Sequence, residues 1–399
     1  MVVKLEPRGE RTRELEAVRL SPVLTRLATY PFVRLEQAKR DVAARGVHLI
    51  DFGVGDPREP TDERIRRALV ESLTETSRYP LAQGLPELRG AIAGWCERRF
   101  GVELDPEREI IPTLGSKEAI FSLAQVLVDR DGGRKLVAVT EPGYPVAERG
   151  ALFAGGELLR LPLLERFAFL PDLDALDADV LGRLAILWLN YPNNPTGATA
   201  PIELYRRLAG LALEHDFVLA SDEAYSELWF DEPPASVLQV GDRRNVIAFN
   251  TLSKRSSMTG YRSGFAAGDP ELIGALRAFR PTVGTAPQEF VQRASVVAWG
   301  DEEHVERTRA VYAAKRELFL ELLARKGLRL AGSRATMYLW VAVPDGEGSE
   351  AFAGRLLEQG IVVAPGAYFG EAGEGYVRFA LVPSLEDCRR AVEILERVL

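Results

Sequence analysis

Residues 184–197, LAILWLNYPNNPTG, contain the pattern that best predicts the fold of this chain. Apolar residues run without interruption from Leu184 to Leu189 and stop at Asn190, just before a turn punctuated by prolines. A short run that is apolar throughout is typical of a strand buried on both faces of a parallel sheet. The segment therefore predicts an α/β fold whose helices cover both faces of the sheet.

Similar apolar runs lie on both sides of this segment. Strands are predicted at HLIDF (48–52), EIIPTL (109–114), KLVAVT (135–140), FVLASD (217–222) and NVIAFN (245–250). Helical patterns fill residues 116–128, 145–154 and 201–215 between them. Because strands and helices alternate, we expect a mostly parallel sheet between two layers of helices.

The pattern changes after about residue 285. A helical pattern at 287–326 ends at a glycine that suits a helix C-cap. It is followed by the strand-like runs LRLAG, MYLWVAV, IVVAPG and YVRFALV and by helical patterns at 349–359 and 384–398. We predict an N-terminal arm with a helix at 32–45 that joins the small domain (1–45), a large domain that contains the parallel sheet (46–285), and a small α+β domain that begins with a long linking helix (286–399).

The composition argues against several classes of protein. The net charge is −8 and no basic tail is present, so a nucleic-acid partner is not expected. No run of about eighteen apolar residues predicts a membrane span. Cys96 and Cys388 do not form a disulfide framework, and a cytoplasmic location is predicted. The histidines have no ligand spacing, so no metal site is predicted.

Lys254 is the lysine best placed for chemistry. The chain has seven lysines against forty-three arginines, and Lys254 directly follows an apolar strand, in the small-residue segment TLSKRSSMTGYRSG (251–264). Loops at the carboxyl ends of parallel strands are where α/β proteins bind ligands. Lysine, unlike arginine, can lose its proton and attack a carbonyl. A reactive Lys254 needs a pKa well below the usual value of about 10.4.

Polar residues also follow the other predicted strands. They are Asp222 with Tyr225, Asn194, Tyr144, and the group Gly115, Ser116 and Lys117, which opens a helix. The helix N-terminus can bind a phosphate, with further donors from Thr251, Ser253 and Arg262. An acid can keep a pyridine nitrogen protonated, a tyrosine and an asparagine can bind a phenolic oxygen, and an aromatic ring can stack. These groups match the needs of pyridoxal 5′-phosphate (PLP).

Three motifs in this order and spacing resemble the class I/II aminotransferases of PLP fold type I. They are NYPNNPTG (190–197), SDEAYSEL (221–228) and SKRSSMTGYRSG (253–264), and the similarity extends from DFGVGDP (51–57) to YVRFALV (376–382). Thr251 stands where glycine or serine is usual, and Ser263 where an apolar residue is usual. The resemblance implies a large domain with a mostly parallel seven-stranded sheet, a smaller α+β domain, and a homodimer with shared active sites.

The resemblance also assigns roles to individual residues. Lys254 is expected to hold the cofactor and move protons, with Asp222 on the ring nitrogen, Tyr225 and Asn194 on the phenolic oxygen, and Tyr144 stacked on the ring. The phosphate is expected at Gly115, Ser116, Lys117, Ser253 and Arg262, with Tyr79 reaching it from the neighbouring subunit. Arg378 is expected to bind the substrate α-carboxylate, with Gly55 and Asn194 beside it.

The substrate is predicted from a narrower similarity. The lysine segment and WGDEEHVE (299–306) are most similar to N-succinyl-diaminopimelate aminotransferases of bacterial lysine biosynthesis. They imply transfer between N-succinyl-LL-2,6-diaminopimelate and 2-oxoglutarate. Aspartate, alanine and LL-diaminopimelate aminotransferases remain alternatives, as does a PLP-dependent carbon–sulfur lyase, which would share the cofactor residues. The residues that bind the substrate side chain are not predicted from the sequence.

Overall fold

The structure, a computed structural model, describes residues 18, 20–26, 31–76 and 78–399. Its helices are α1 (Pro22–Arg26), α2 (Pro31–Ala43), α3 (Glu63–Glu71), α4 (Pro86–Phe100), α5 (Ser116–Leu127), α6 (Val146–Ala154), α7 (Ala178–Arg183), α8 (Ile202–His215), α9 (Leu252–Arg255), α10 (Pro270–Phe279), α11 (Glu289–Gly300), α12 (Glu303–Lys326), α13 (Ser349–Glu358) and α14 (Leu385–Val398). Its strands are β1 (Ile50–Asp51), β2 (Ile110–Thr113), β3 (Leu136–Glu141), β4 (Glu157–Pro162), β5 (Leu184–Asn190), β6 (Val218–Asp222), β7 (Val246–Thr251), β8 (Gly264–Gly268), β9 (Leu330–Gly332), β10 (Tyr338–Ala342), β11 (Ile361–Val362), β12 (Ala364–Pro365) and β13 (Tyr376–Ala380).

The large sheet has seven strands in the described part of the chain, in the order β2-β8-β7-β6-β5-β3-β4. Strands β4, β3, β5, β6 and β7 pair in parallel, whereas β8 runs antiparallel to both β7 and β2. The predicted mostly parallel sheet of seven strands is therefore confirmed. Parallel pairing brings the carboxyl ends of β5, β6 and β7 to one edge, where Asn190 lies opposite Asp222.

Both faces of this sheet are buried, as the apolar run of β5 predicts. Leu187 and Leu189 point to one face, into a core shared with α4 and α8. Ile186 and Trp188 point to the other, into a core shared with α5, α6 and α10. The alternation follows from the two-residue period of a strand.

The C-terminal part forms a four-stranded antiparallel sheet in the order β12-β13-β10-β9, packed with α12, α13 and α14. The single long helix predicted at 287–326 is wrong, because α11 ends at Gly300 and α12 begins at Glu303. Asp301 is extended between them, and its carboxylate accepts the backbone N–H of His304. That bond resembles the capping of a new helix start.

The strand predicted at 48–52 does not join the large sheet. Only Ile50 and Asp51 are extended as a strand, and they pair in parallel with β11 of the C-terminal part. Phe52 packs against Phe319 and Phe379 with ring centroids 5.3 and 5.9 Å apart, which ties this segment to that core. Strands β4 and β8 were not predicted: β4 is a largely solvated edge, and GFAAG (264–268) lacks β-branched residues.

Helix α2 packs on the C-terminal part. Its Leu35 and Val42 form one apolar cluster with Leu357 and Val362. Residues 1–17, 19 and 27–30 of the predicted arm lie outside the described residues. The assignment of the arm to the small domain stays a prediction. The boundaries at 45/46 and 285/286 stay a prediction. Within the described residues, no helix combines the length and apolar character needed to cross a membrane.

Candidate active site

A cavity of about 630 Å³ lies where the parallel strands end. Most residues predicted for the site line it: Gly55, Ser116, Lys117, Tyr144, Asn194, Asp222, Tyr225, Ser253, Lys254, Arg262 and Arg378. Gly115 is not among the lining residues, but it contacts the guanidinium of Arg262, which is. Tyr79 is fully exposed and is not among the residues that line the cavity of its own chain.

Lys254 enters the cavity from the short helix α9, which begins immediately after β7. Thr251 caps this helix by accepting the N–H of Ser253 on its hydroxyl at 3.1 Å. The Lys254 ammonium donates a hydrogen bond of 2.6 Å to the carbonyl of Gly55. Burial lowers the pKa of Lys254 to about 8, although the nearby charge of Asp56 opposes the change. The direction agrees with the expectation from the sequence.

Asp222 is the buried acid of the cavity. It ends β6, and its carboxylate accepts the N–H of Ala224 at 3.2 Å. Its backbone carbonyl accepts a 3.0 Å hydrogen bond from the side-chain amide of Asn190, which fixes the strand end. Burial raises the pKa of Asp222 to about 7, with Lys254 acting in the opposite direction. A cation placed against this carboxylate would favour its ionised form.

The N-terminus of α5 and Arg262 form a cradle suited to an anion. Gly115 precedes α5 with a φ of 72°, and a Cβ there would lie 2.5 Å from Nη2 of Arg262, so only glycine fits. Arg262 is held by the carbonyls of Leu114 (3.1 Å) and Thr259 (2.9 Å). The N–H groups of the first turn of α5 have no partner within the helix, so they can bind phosphate oxygens.

Arg378 lines the cavity and is held in a fixed orientation. Its guanidinium donates to the side-chain oxygen of Asn194 at 2.8 Å and to the carbonyl of Gly53 at 2.7 Å. Its Cζ atom lies 4.3 Å from the ring centroid of Tyr338 and 4.6 Å from that of Phe369. The glycine carbonyl that contacts Arg378 thus belongs to Gly53, whereas the carbonyl of Gly55 contacts Lys254.

Tyr338 was missed by the sequence reasoning. Its hydroxyl lies 2.7 Å from the hydroxyl of Tyr225, with the rings in an edge-to-face arrangement. A Cβ at Gly55 would lie 2.0 Å from the Tyr338 hydroxyl, so Gly55 is needed for this packing. The residue lies in a strand of the C-terminal part, and the apolar run MYLWVAV gave no signal for a polar contact.

Charged residues at the cavity wall were missed as well. Asp56 directly follows Gly55 in the motif DFGVGDP (51–57), and both residues line the cavity. The prediction of Gly55 as a site residue could therefore have been extended to Asp56. Glu36 reaches the cavity from α2, and nothing in the sequence pointed to it. Lys117 was predicted near the phosphate, but its Nζ lies 6.0 Å from the ring centroid of Tyr144, inside the cavity.

Residues 47–395 match the family model for class I and II aminotransferases. This chain belongs to the class I and II aminotransferases. The family depends on PLP, so this aminotransferase is a PLP-dependent transaminase of fold type I, as the motifs predicted. Among its described residues, no group of three or more His, Cys, Asp or Glu side chains could hold a metal ion.

Relatives of the aminotransferase include enzymes with diaminopimelate in their names. It is 42% identical over 378 residues to an LL-diaminopimelate aminotransferase from Aquifex aeolicus (strain VF5), which covers 93% of this chain and 96% of the relative. A solved aminotransferase from Neisseria meningitidis Z2491 is 36% identical with a TM-score of 0.89, covering 95% of this chain and 100% of that one. A probable N-succinyldiaminopimelate aminotransferase from Thermus thermophilus is 34% identical with a TM-score of 0.85, covering 92% and 100%.

Proposed function

We propose that this aminotransferase moves an amino group between LL-2,6-diaminopimelate and 2-oxoglutarate. The relative from Aquifex aeolicus supports this substrate, and so does the charge of the cavity wall. The cavity also suits PLP, because it combines an anion cradle, a buried acid, an aromatic ring and a lysine with a lowered pKa. Bound PLP supplies a ring that withdraws electrons from the substrate α-carbon.

Lys254 and Asp222 carry the central roles in this proposal. Lys254 would hold PLP through its amine, and the same amine in its neutral form would take the proton from the substrate α-carbon. The lowered pKa keeps a larger fraction of the amine neutral near pH 8 than an ordinary lysine would have. Asp222 would bind the ring nitrogen and keep it protonated, because the attraction between the two opposite charges is strong where water is excluded.

The other predicted residues position the two ligands. Tyr225 and Asn194 would bind the phenolic oxygen of PLP, Tyr144 would stack on its ring, and Gly115, Ser116, Ser253 and Arg262 would bind its phosphate. Arg378 binds the substrate α-carboxylate, beside Asn194 and Gly55. Because Gly53 and Asn194 already fix its guanidinium, little side-chain entropy is lost when the carboxylate binds.

The remaining charges in the cavity favour free LL-diaminopimelate over its succinylated form. The described wall contains the cations Lys117, Lys254, Arg262 and Arg378 and the carboxylates Glu36, Asp56 and Asp222. After the roles above are assigned, Lys117, Glu36 and Asp56 remain. The charge of Asp56 acts on Lys254, at the reacting end of the substrate. Lys117 and Glu36 suit the other end of the substrate, which carries a carboxylate and an ammonium. Succinylation would replace that ammonium with a neutral amide and a second carboxylate, which Glu36 would repel.

A screen of amino donors tests the proposal and separates it from its alternatives. Purified enzyme is given 2-oxoglutarate with LL-diaminopimelate, N-succinyl-LL-diaminopimelate, aspartate or alanine, and glutamate formation is followed. We expect the highest kcat/KM with LL-diaminopimelate. The similarity to the Thermus thermophilus protein makes the succinylated compound the second candidate. A higher kcat/KM for the succinylated compound or for aspartate would contradict the proposal.

We also propose a homodimer in which each site is completed by the partner. Tyr79 (100% exposed), Leu81 (67%) and Val283 (53%) present apolar surface to solvent. The two segments are adjacent, since Arg280 donates to the carbonyl of Ala82 at 2.8 Å. Exposed aromatic and aliphatic side chains on one face are typical of an interface, and Tyr79 would reach the phosphate of the other subunit.

Mixed dimers provide the test of shared sites. Lys254→Ala and Tyr79→Ala are expected to be nearly inactive alone, because one lacks the reactive amine and the other a phosphate contact. After subunit exchange, each hybrid dimer contains one site with both residues intact, so about a quarter of wild-type activity should return. Full exchange, checked by mass spectrometry of differently tagged subunits, with no recovered activity would show that Tyr79 serves its own chain.

A further inference from the structure

We propose that Glu36 is the residue that selects a substrate with a free ammonium group at its distal end, and that Lys39 and Asp51 hold Glu36 in place. The inference rests on the proposed function, since it names the side chain that distinguishes LL-diaminopimelate from its succinylated form. Glu36 lines the same cavity as Lys254 and Arg378, and its side chain is 45% exposed. It therefore lies where the cavity meets solvent.

The backbone under Glu36 is fixed by packing. Its neighbour Leu35 is 6% exposed and belongs to the apolar cluster with Val42, Leu357 and Val362. Tyr368 packs on this cluster and also lines the cavity. Helix α2 is thus seated on the C-terminal part, and one turn of it presents Glu36 to the substrate space.

An ion cluster orients the Glu36 carboxylate without neutralising it. The ammonium of Lys39 lies 2.5 Å from Oε1 of Glu36 and 2.6 Å from Oδ2 of Asp51. Although burial opposes the change, hydrogen bonds to Asp51 and Glu36 raise the pKa of Lys39, so it stays charged. One cation shared by two carboxylates leaves a net charge of −1. The cluster therefore still attracts a second ammonium.

Asp51 connects this cluster to the rest of the site. Its Oδ1 atom accepts the N–H of Gly53 at 2.8 Å, and the carbonyl of Gly53 accepts from Arg378. Glu36, which we propose binds the distal ammonium, and Arg378, which we propose binds the α-carboxylate, are thus connected through residues 51–53. The same segment therefore supports the residues proposed to bind the two ends of the substrate.

Glu36 is better placed for this task than Asp56. The charge of Asp56 acts on Lys254, at the reacting end of the substrate. The two amino groups of diaminopimelate are separated by a methylene chain, so the distal one must lie away from Lys254. Glu36 approaches from a different element, α2, on the side of Tyr368.

The test compares Glu36→Gln with a matched control, Glu358→Gln. Glu358 also forms an ion pair next to α2, with Arg45 at 2.8 Å, but it is exposed and is not among the cavity residues. In Glu36→Gln we expect KM for LL-diaminopimelate to rise about tenfold, the loss typical of one charge-assisted hydrogen bond. The kcat and the KM for glutamate, which has no distal ammonium, should stay unchanged. Glu358→Gln should behave as wild type.

Binding without turnover gives a second measurement. Calorimetric titration of the Lys254→Ala protein with LL-diaminopimelate should show about tenfold weaker binding when Glu36→Gln is added. Binding of N-succinyl-LL-diaminopimelate should instead become tighter, because the charge that repels its second carboxylate is removed. An unchanged KM in Glu36→Gln, or a tenfold loss in Asp56→Asn instead, would overturn the assignment while leaving the proposed function intact. If wild type fails to use LL-diaminopimelate, the proposed function falls and this assignment falls with it.

Discussion

Lys254→Ala should lose transamination by a factor of at least about 10⁴, because the substitution removes both the covalent attachment of PLP and the base that moves the α-proton. Glutamate formation in a coupled assay measures the loss. In wild type, borohydride reduction followed by peptide mapping should place the cofactor on Lys254. Lys135→Ala is the matched control, because Lys135 pairs with Glu157 at 3.0 Å on the surface, away from the cavity. A cofactor label on Lys117 would contradict the assignment.

The stability of the same variant should depend on pH in a defined direction. Burial lowers the pKa of Lys254 from 10.5 to about 8, so between these values the unfolded chain binds more protons than the folded one. Wild-type apoprotein should therefore gain stability as pH rises from about 8 to 10.5, whereas Lys254→Ala lacks this contribution. Denaturant titrations of both apoproteins across this range measure the difference. A constant difference in the free energy of unfolding would mean that Lys254 is not desolvated.

The residues at the ends of the large sheet could be predicted because a parallel sheet has a simple geometry. Apolar strands identified β5, β6 and β7, and their common direction predicted that Asn194, Asp222 and Lys254 lie near one edge of the sheet. Every polar residue predicted immediately after such a strand now lines the cavity or, like Gly115, supports a residue that does. Periodicity and strand direction were sufficient for this half of the site.

The other half comes from segments whose position depends on long-range packing. Tyr338 and Glu36 reach the cavity only because the C-terminal part and α2 fold back against the sheet. No local sequence pattern predicts this contact. Glu36 cannot be distinguished in the sequence from the other charged residues of its helix, which face solvent or form ion pairs. Long-range packing also explains why β1 is not part of the large sheet. Its partner strand, β11, lies more than 300 residues later in the chain, so the pairing could not be predicted from the local sequence.

The break between α11 and α12 shows a different limit. Helical residues continue on both sides of Asp301, so periodicity alone predicts one helix. Arg255 contacts this break, because its guanidinium donates to the carbonyls of Ala298 (2.6 Å) and Asp301 (3.3 Å). These carbonyls lie at the end of α11, where the helix itself leaves them without partners. A buried side chain from the lysine segment thus supports the break.

Asp222→Ala should retain part of its PLP but lose at least about a thousandfold in turnover, since the ring nitrogen would lose the partner that keeps it protonated. Glu223→Gln is the matched control. Glu223 is the adjacent residue, is buried, and has a pKa raised by burial to about 7, but it accepts the N–H of Val237 and is not among the cavity residues. The control should therefore keep most of the activity.

The pH dependence of PLP binding separates the charge of Asp222 from its packing. Burial raises the pKa of Asp222 to about 7, so acid below that pH neutralises the carboxylate and should weaken PLP binding in wild type. The affinity for PLP is measured by titrating the apoproteins with PLP at several pH values. In Asp222→Ala, the loss of affinity below about pH 7 that is due to this carboxylate should be absent. Near-normal turnover in Asp222→Ala, or an unchanged pH dependence of PLP binding, would mean that another group protonates the ring nitrogen.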